Sequence, residues 1–335
     1  MSESRKHHYV PVFYQKNFVN SHGLLWVYDR RLKTYKELHP LSICFEKDLY
    51  TLKRENAPWE RRVESVCLKL VDEVGARAIR ELLSGNASGE ILATLAYFIG
   101  VQFNRLPSVG KFIGSVYVKG AREMMRLMAA NVGRMRSVLE RYSLETGKSV
   151  NVSAESMVEA VKSDGLEIVA TEVPFLQSMF RHADNLRKVI QGLDWQILLA
   201  PPQTSFIICD NPIVVVPPSG TKDVGFAVPG AVKYFPLTYR FCLRLGDIGN
   251  SFSYRKISKE KVRVINFNIA ANSERFIMGP EKAQLVSVVS KSDSIEEDTT
   301  PHFTVETMEH DENGSLQKMT FQPRRYFYAE GPQAP

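Results

Sequence analysis

The strongest constraint on the fold is a change of hydrophobic period near Leu193. Upstream of it, apolar residues recur at helical spacing. Pro58 opens a run over 59–83 in which Val63, Val66, Cys67, Leu70 and Val74 share a face, and Gly85 stops it. Residues 88–105 predict a second helix, closed by Pro107. Residues 109–146 read as mostly helical and rich in methionine (Met124, Met125, Met128, Met135), a pattern that suits core better than a recognition surface. A polar break covers 145–153, and 155–162 and 168–191 complete the helical block. Downstream the apolar runs are short and β-rich, over 195–200, 205–208, 213–216, 232–235 and 241–245. Pro201-Pro202, Pro217-Pro218, Gly246 and Gly249 punctuate them. Helix returns over 258–273 and 280–289, a strand over 275–278, and 303–308 with 316–321 predict a closing hairpin.

Ahead of the helical block, 24–29 and 34–38 read as a hairpin around Arg30-Arg31-Leu32-Lys33, and 43–52 adds another strand. These strands are too few to be stable alone, so they are expected to join the C-terminal sheet. The class that follows is α+β. Residues 1–52 supply an N-terminal short helix and hairpin and 53–192 a central helical layer. Residues 193–335 supply a mostly antiparallel sheet with inserted helices, the whole forming one compact domain.

Composition narrows the setting. A chain of 335 residues with 44% hydrophobic content can bury a full core. The net charge of +6 permits nucleic acid as a partner, RNA or DNA, without demanding it. Cys44, Cys67, Cys209 and Cys242 are scattered, which excludes a CxxC metal knuckle and suits a reducing compartment. No signal-peptide pattern and no apolar run of membrane-spanning length is present, so the expectation is a cytoplasmic protein with no membrane partner. The oligomeric state is left open.

Chemistry concentrates in a few stretches. His7-His8-Tyr9-Val10-Pro11 sets two imidazoles before a proline suited to the first position of a helix over 11–19. Adjacent side chains on an extended segment point opposite ways, so one histidine is expected to face a site and the other to fix the segment. A helix start nearby would favour an anion there, with an imidazole as acid or base. Gln102-Phe103-Asn104-Arg105-Leu106-Pro107 ends an otherwise apolar helix, and the Arg105 fork suits phosphate or carboxylate, or its own helix end. Phe206-Ile207-Ile208-Cys209-Asp210-Asn211-Pro212 is an apolar strand ending in Asp-Asn-Pro, either a rigidly mounted carboxylate or a turn. Glu60 and Glu64, four apart on a helix, read as a solvated face or a paired carboxylate site. The hairpin-tip cations and Arg324-Arg325-Tyr326-Phe327-Tyr328 are weaker candidates for nucleic-acid contact. Asn211-Pro212 alone does not make an adenine methyltransferase, because no glycine-rich cofactor turn precedes it.

Taken together, the stretches at His7–Pro11, Gln102–Pro107, Asp210–Pro212 and Phe235-Pro236-Leu237-Thr238 resemble a widespread, largely bacterial family catalogued as a domain of unknown function with an HHYVP signature. Asp48-Leu49-Tyr50-Thr51 and residues 266–276 are similar to its pattern as well. The resemblance runs over 7–278 and implies site positions without a mechanism. Cys209 departs from it, standing where a serine is expected before Asp-Asn-Pro.

The functional expectation is a phosphodiester hydrolase, a nuclease. His7 or His8 would be the acid or base and Asp210 a base or a ligand for Mg2+ or Mn2+. Arg105 would clamp the phosphate, with Gln102 and Asn211 binding substrate. The alternative is a non-catalytic nucleic-acid- or protein-binding module whose polar residues form a structural network. Transfer to or from a nucleotide such as ADP-ribose is a third class. The first two part on geometry, because an enzyme needs these residues to converge on an open pocket.

Overall fold

In a computed structural model of the chain, residues 5–52, 62–218, 225–292, 302–308 and 316–322 are described. From the N-terminus, β1 (Lys6–His8) leads into the four-residue helix α1 (Val12–Gln15) and a 3-10 turn (Lys16–Phe18). The hairpin of β2 (Leu25–Asp29) and β3 (Thr34–Leu38) has the predicted bounds within a residue. β4 (Phe45–Lys47) then returns to pair antiparallel with β1, His7 opposite Glu46. Pro11 stands outside α1 as its N-cap, with ψ of 140°, so the helix starts one residue later than predicted.

The helical layer is α2 (Lys69–Leu83), entered through a π-helical turn (Val63–Leu68), then α3 (Gly89–Asn104), α4 (Pro107–Ala129), α5 (Val132–Thr146), α6 (Ala154–Lys162) and α7 (Val173–Gln191). The single methionine-rich run thus divides in two. Asn131 takes an extended conformation and accepts a hydrogen bond from the Arg134 N–H at 3.1 Å, an N-cap hidden inside a helical pattern. Met135, Ala129, Val158 and Val161 form a small second core there, with Met125 and Met128 packed on it. Pro58, Trp59, Glu60 and Arg324–Tyr328 lie outside the described residues.

Beyond Leu193 come β5 (Leu193–Leu199), β6 (Ile208–Cys209), β7 (Val214–Val216), β8 (Val232–Pro236), β9 (Phe241–Ile248), β10 (Phe252–Lys256), α8 (Lys259–Ala271), β11 (Phe276–Gly279), α9 (Lys282–Ser292) and the paired strands β12 (His302–Met308) and β13 (Leu316–Gln322). They build two main sheets rather than one. The first has the order β10-β5-β9-β8-β7, antiparallel except for the parallel pair β10 and β5. The second has the order β3-β2-β11-β6, so the N-terminal hairpin does join C-terminal strands, through β2 and β11. The fold is α+β.

The alternation in β5 turns Leu193, Trp195 and Ile197 inward, against Leu243 and Leu245 of β9. Leu95, Phe98 and Ile99 of α3 and Met179, Ala183 and Ile190 of α7 belong to the same continuous core. Each such side chain contributes roughly 1.5–3 kcal/mol by leaving water. The N-terminal segment docks on the turn after β8. The Tyr14 hydroxyl donates to Pro236 O at 2.6 Å, its ring stacks on Phe235 at 5.1 Å, and Asn17 Nδ2 donates to Leu237 O at 3.0 Å.

α3 and α7 are in tight contact at Gly100, where an added Cβ would sit 2.6 Å from the backbone oxygen of Ala183. Backbone cannot yield as a flexible side chain can. Gly100→Ala is therefore expected to push the two helices apart and cost about 1–3 kcal/mol, read as a lower urea midpoint at unchanged slope.

Candidate functional site

The extended stretch after β1 presents backbone carbonyls that no neighbouring strand takes up, and buried carbonyls need donors. Side chains supply them. Arg105 is 1% exposed, and its Nη2 donates to His8 O at 2.8 Å while Nε donates to Tyr9 O at 3.1 Å. Gln102 Nε2 donates to the same Tyr9 O at 2.9 Å, and Gln15 Nε2 to Val10 O at 2.8 Å. The remaining Arg105 nitrogen, Nη1, reaches Asp72 on α2 at 2.7 Å. Burial raises the Asp72 pKa, and the Arg105 guanidinium opposes that rise. Arg105 and Gln102 are thus spent on holding the HHYVP backbone against α2 and α3.

The two histidines differ in burial and in partners, and both line one cleft. His7 is fully buried, its ring stacked on Tyr50 at 5.7 Å and its Nδ1 accepting the Tyr50 N–H at 3.0 Å. The Tyr50 hydroxyl donates to Arg105 O at 2.8 Å, which ties this segment to the end of α3. His8 is half-buried against Phe45 and lines a cleft of about 500 Å3 between β1, α1 and α2. Burial lowers the His8 pKa below its ordinary value, and the Arg105 and Lys6 charges add to that; a bond to the Leu41 backbone opposes it. Its Nε2 is buried with no hydrogen-bond partner among the described residues.

Facing His8 across this cleft are Glu64, from the π-helical turn, and Asp72. Burial raises the Glu64 pKa to about 7, with Asp72 reinforcing that and Arg105 and the His8 N–H opposing it. Glu64 Oε2, like His8 Nε2, has no partner among the described residues. Lys6 and the Lys69–Glu73 pair, at 4.0 Å, stand at the rim, and Val12, Phe13 and Ala76 make the apolar wall. Among the described residues, no group of three or more His, Cys, Asp and Glu side chains is placed to hold a metal ion.

Asp210 and Asn211 are not among the lining residues of the cleft. Asp210, 4% exposed, caps the turn into β11 by accepting the N–H groups of Glu274 at 2.8 Å, Arg275 at 2.7 Å and Phe276 at 3.0 Å. Burial and the Glu274 carboxylate push its pKa up to about 6 against those donors. The Asn211 backbone oxygen accepts from Asn272 Nδ2 at 2.7 Å and from the buried Cys209 thiol at 2.9 Å. The departure at Cys209 therefore falls inside this turn and does not reach the cleft. Arg30, at the basic hairpin tip, donates to Ser273 Oγ at 2.6 Å and Ala270 O at 2.8 Å, so it is a tie to the end of α8.

Glu64 carried a signal in the sequence only through its pairing with Glu60, and Asp72 carried none. In a straight α-helix, positions 64 and 72 would sit about 80° apart. The wider π turn takes up part of that offset and aims both carboxylates at one cleft. π turns are common at functional sites, but the sequence does not announce them.

Residues 6–283 match the model of a family described as "Protein of unknown function (DUF4238)". The match takes in β1 and the first turn of α9 and leaves out the β12–β13 hairpin. No curated protein and no solved structure matches.

Because Arg105 serves two backbone carbonyls and one carboxylate at once, Arg105→Met leaves His8 O and Asp72 without their Arg105 donors and Tyr9 O with Gln102 alone. The expected loss is about 3–5 kcal/mol in chemical denaturation. Arg105→Lys is expected to recover little of it, since one ammonium cannot span the three acceptors.

Proposed function

Given that the chain belongs to the DUF4238 family, whose description names no activity, we propose that it is a phosphodiester hydrolase working through the cleft between β1 and α2. The observation that carries this reading is the meeting of His8 and Glu64 on one open cleft, each with a polar atom left over. His8 stays from the sequence expectation as the imidazole. The second proton-transfer group is Glu64, and Arg105, Gln102, Asp210 and Asn211 become the frame that positions the segment.

The two environments separate the roles. A carboxyl lifted to about 7 is largely protonated below neutrality and suits the acid. An imidazole whose pKa is lowered is neutral in the same range and suits the base. His8 Nε2 takes a proton from the attacking water as its oxygen bonds to phosphorus. Glu64 gives its proton to the leaving alkoxide as the P–O bond breaks. Solvent then returns one proton to Glu64 and takes one from His8. The Lys6 and Lys69 ammonium groups lie at the rim, where the phosphate oxygens would sit.

A second reading draws on the buried network. Every polar bond of Arg105 and Asp210 goes to structure, as a non-catalytic nucleic-acid- or protein-binding module would require.

The test is hydrolysis of RNA, DNA and a bis-aryl phosphodiester by the full chain, with and without Mg2+ or Mn2+, with fold checked by circular dichroism. Rates are expected to be bell-shaped in pH, rising as His8 becomes neutral and falling through about 7 as Glu64 ionises. Glu64→Gln is expected to abolish the limb near 7 and lower kcat/KM about 100-fold or more, and His8→Ala to lower it comparably. Unchanged rates in both folded variants would remove the cleft as the active site. A wild-type chain inert on all three substrates would leave the binding module as the reading.

A further inference from the structure

The helix face that lines the cleft does not end with it. Asp72 and Ala76 are followed four residues on by Arg80, in register on the same side of α2 and exposed, with Arg77 beside it. At the C-terminal end of α2, Leu82 O accepts the hydroxyl of Tyr254 at 2.8 Å. Tyr254 belongs to β10, the edge strand of the five-stranded sheet, and is 51% exposed. From Ala76 to Leu82 the helix advances about 9 Å, close to the reach of one or two nucleotides. The strand and the helix start after it form a basic stretch of the surface. Arg255, Lys256, Lys259, Lys261 and Arg263 are all exposed, against the single acid Glu260. That stretch holds much of the net charge of +6.

We propose that Arg80, Tyr254 and Lys256 form a surface that binds single-stranded nucleic acid and leads it toward the cleft. Exposed cations follow the phosphates, and an aromatic ring among them gives a base a face to stack on whatever its identity. The hydroxyl bond to Leu82 O and the edge-on contact with Phe252 at 5.2 Å hold the Tyr254 ring in place, so little side-chain freedom is lost on stacking. The binding stands on this surface by itself. The delivery of the strand to the cleft rests on the hydrolase reading above.

The experiment is fluorescence anisotropy of the full chain with labelled oligo-dT and oligo-rU, with duplex DNA and with vesicles of phosphatidylglycerol and phosphatidylcholine. Single strands are expected to bind more tightly than duplex, with affinity falling as salt rises. Tyr254→Ala is expected to weaken binding about tenfold, and Tyr254→Phe, which keeps the ring, to retain it. Lys256→Glu is expected to weaken it further and to shrink the salt slope by roughly 0.7. Glu64→Gln is expected to bind as wild type, which separates the two proposals. Loss of binding with hydrolysis of the small bis-aryl phosphodiester intact would show that the variants fold and would support the surface. The surface is overturned if the wild type binds no single strand, if duplex binds as tightly, or if Tyr254→Ala binds unchanged. It is overturned too if vesicles bind and oligonucleotides do not.

Discussion

The structure depends on one buried cation. An extended segment that runs into the core without a strand on each side leaves its carbonyls bare, and bare buried carbonyls are costly. Arg105 answers two of them, on His8 and Tyr9, and Gln102 shares the second. A guanidinium can do this because its donors form a flat fork, and it can be buried because Asp72 balances it. The same set of bonds fixes three elements: the N-terminal strand, the first long helix and the end of the second. The cleft is the gap that remains between the first two once they are held.

That arrangement sorts the polar residues by what their atoms touch. Arg105 bonds backbone carbonyls and the Asp72 carboxylate, Gln102 Nε2 donates to Tyr9 O, and Asp210 accepts backbone N–H groups. His8 and Glu64 keep one atom each without such a bond, and both line the cleft. The adjacent imidazoles differ in burial and in partners. His7, fully buried, locks the segment through Tyr50, and His8 is half-buried; both line the cleft.

Legibility followed the range of the forces involved. The hairpin of β2 and β3 and the helices α3 and α7 were readable because their periods are local. α2 is a helix as expected but turns a different face inward, burying Leu68, Val71, Ile79 and Leu82 and exposing Val66, Cys67 and Leu70. β10 was not, since Phe252-Ser253-Tyr254-Arg255-Lys256 is a polar edge strand held by parallel pairing to β5, which no neighbouring residue encodes. The break at Asn131 was missed because one capping residue interrupts a continuous helical pattern. The motif residues were found by their type, and type alone does not separate a clamp from a catalyst. Arg105 and Asp210 read as chemistry because charged groups at element ends serve both purposes.

The sequence by itself determined the α+β class and the change of period at Leu193, because each follows from local patterning. Only the tertiary structure decided which polar residues are spent on backbone. That depends on partners far apart in the chain: Arg105 with His8, Asp210 with Arg275, Tyr254 with Leu82. Only the tertiary structure, too, set Glu64 and Asp72 on one wall, where burial pushes the Glu64 carboxyl to about 7. A side chain's charge state is a property of its surroundings, and those are assembled in three dimensions.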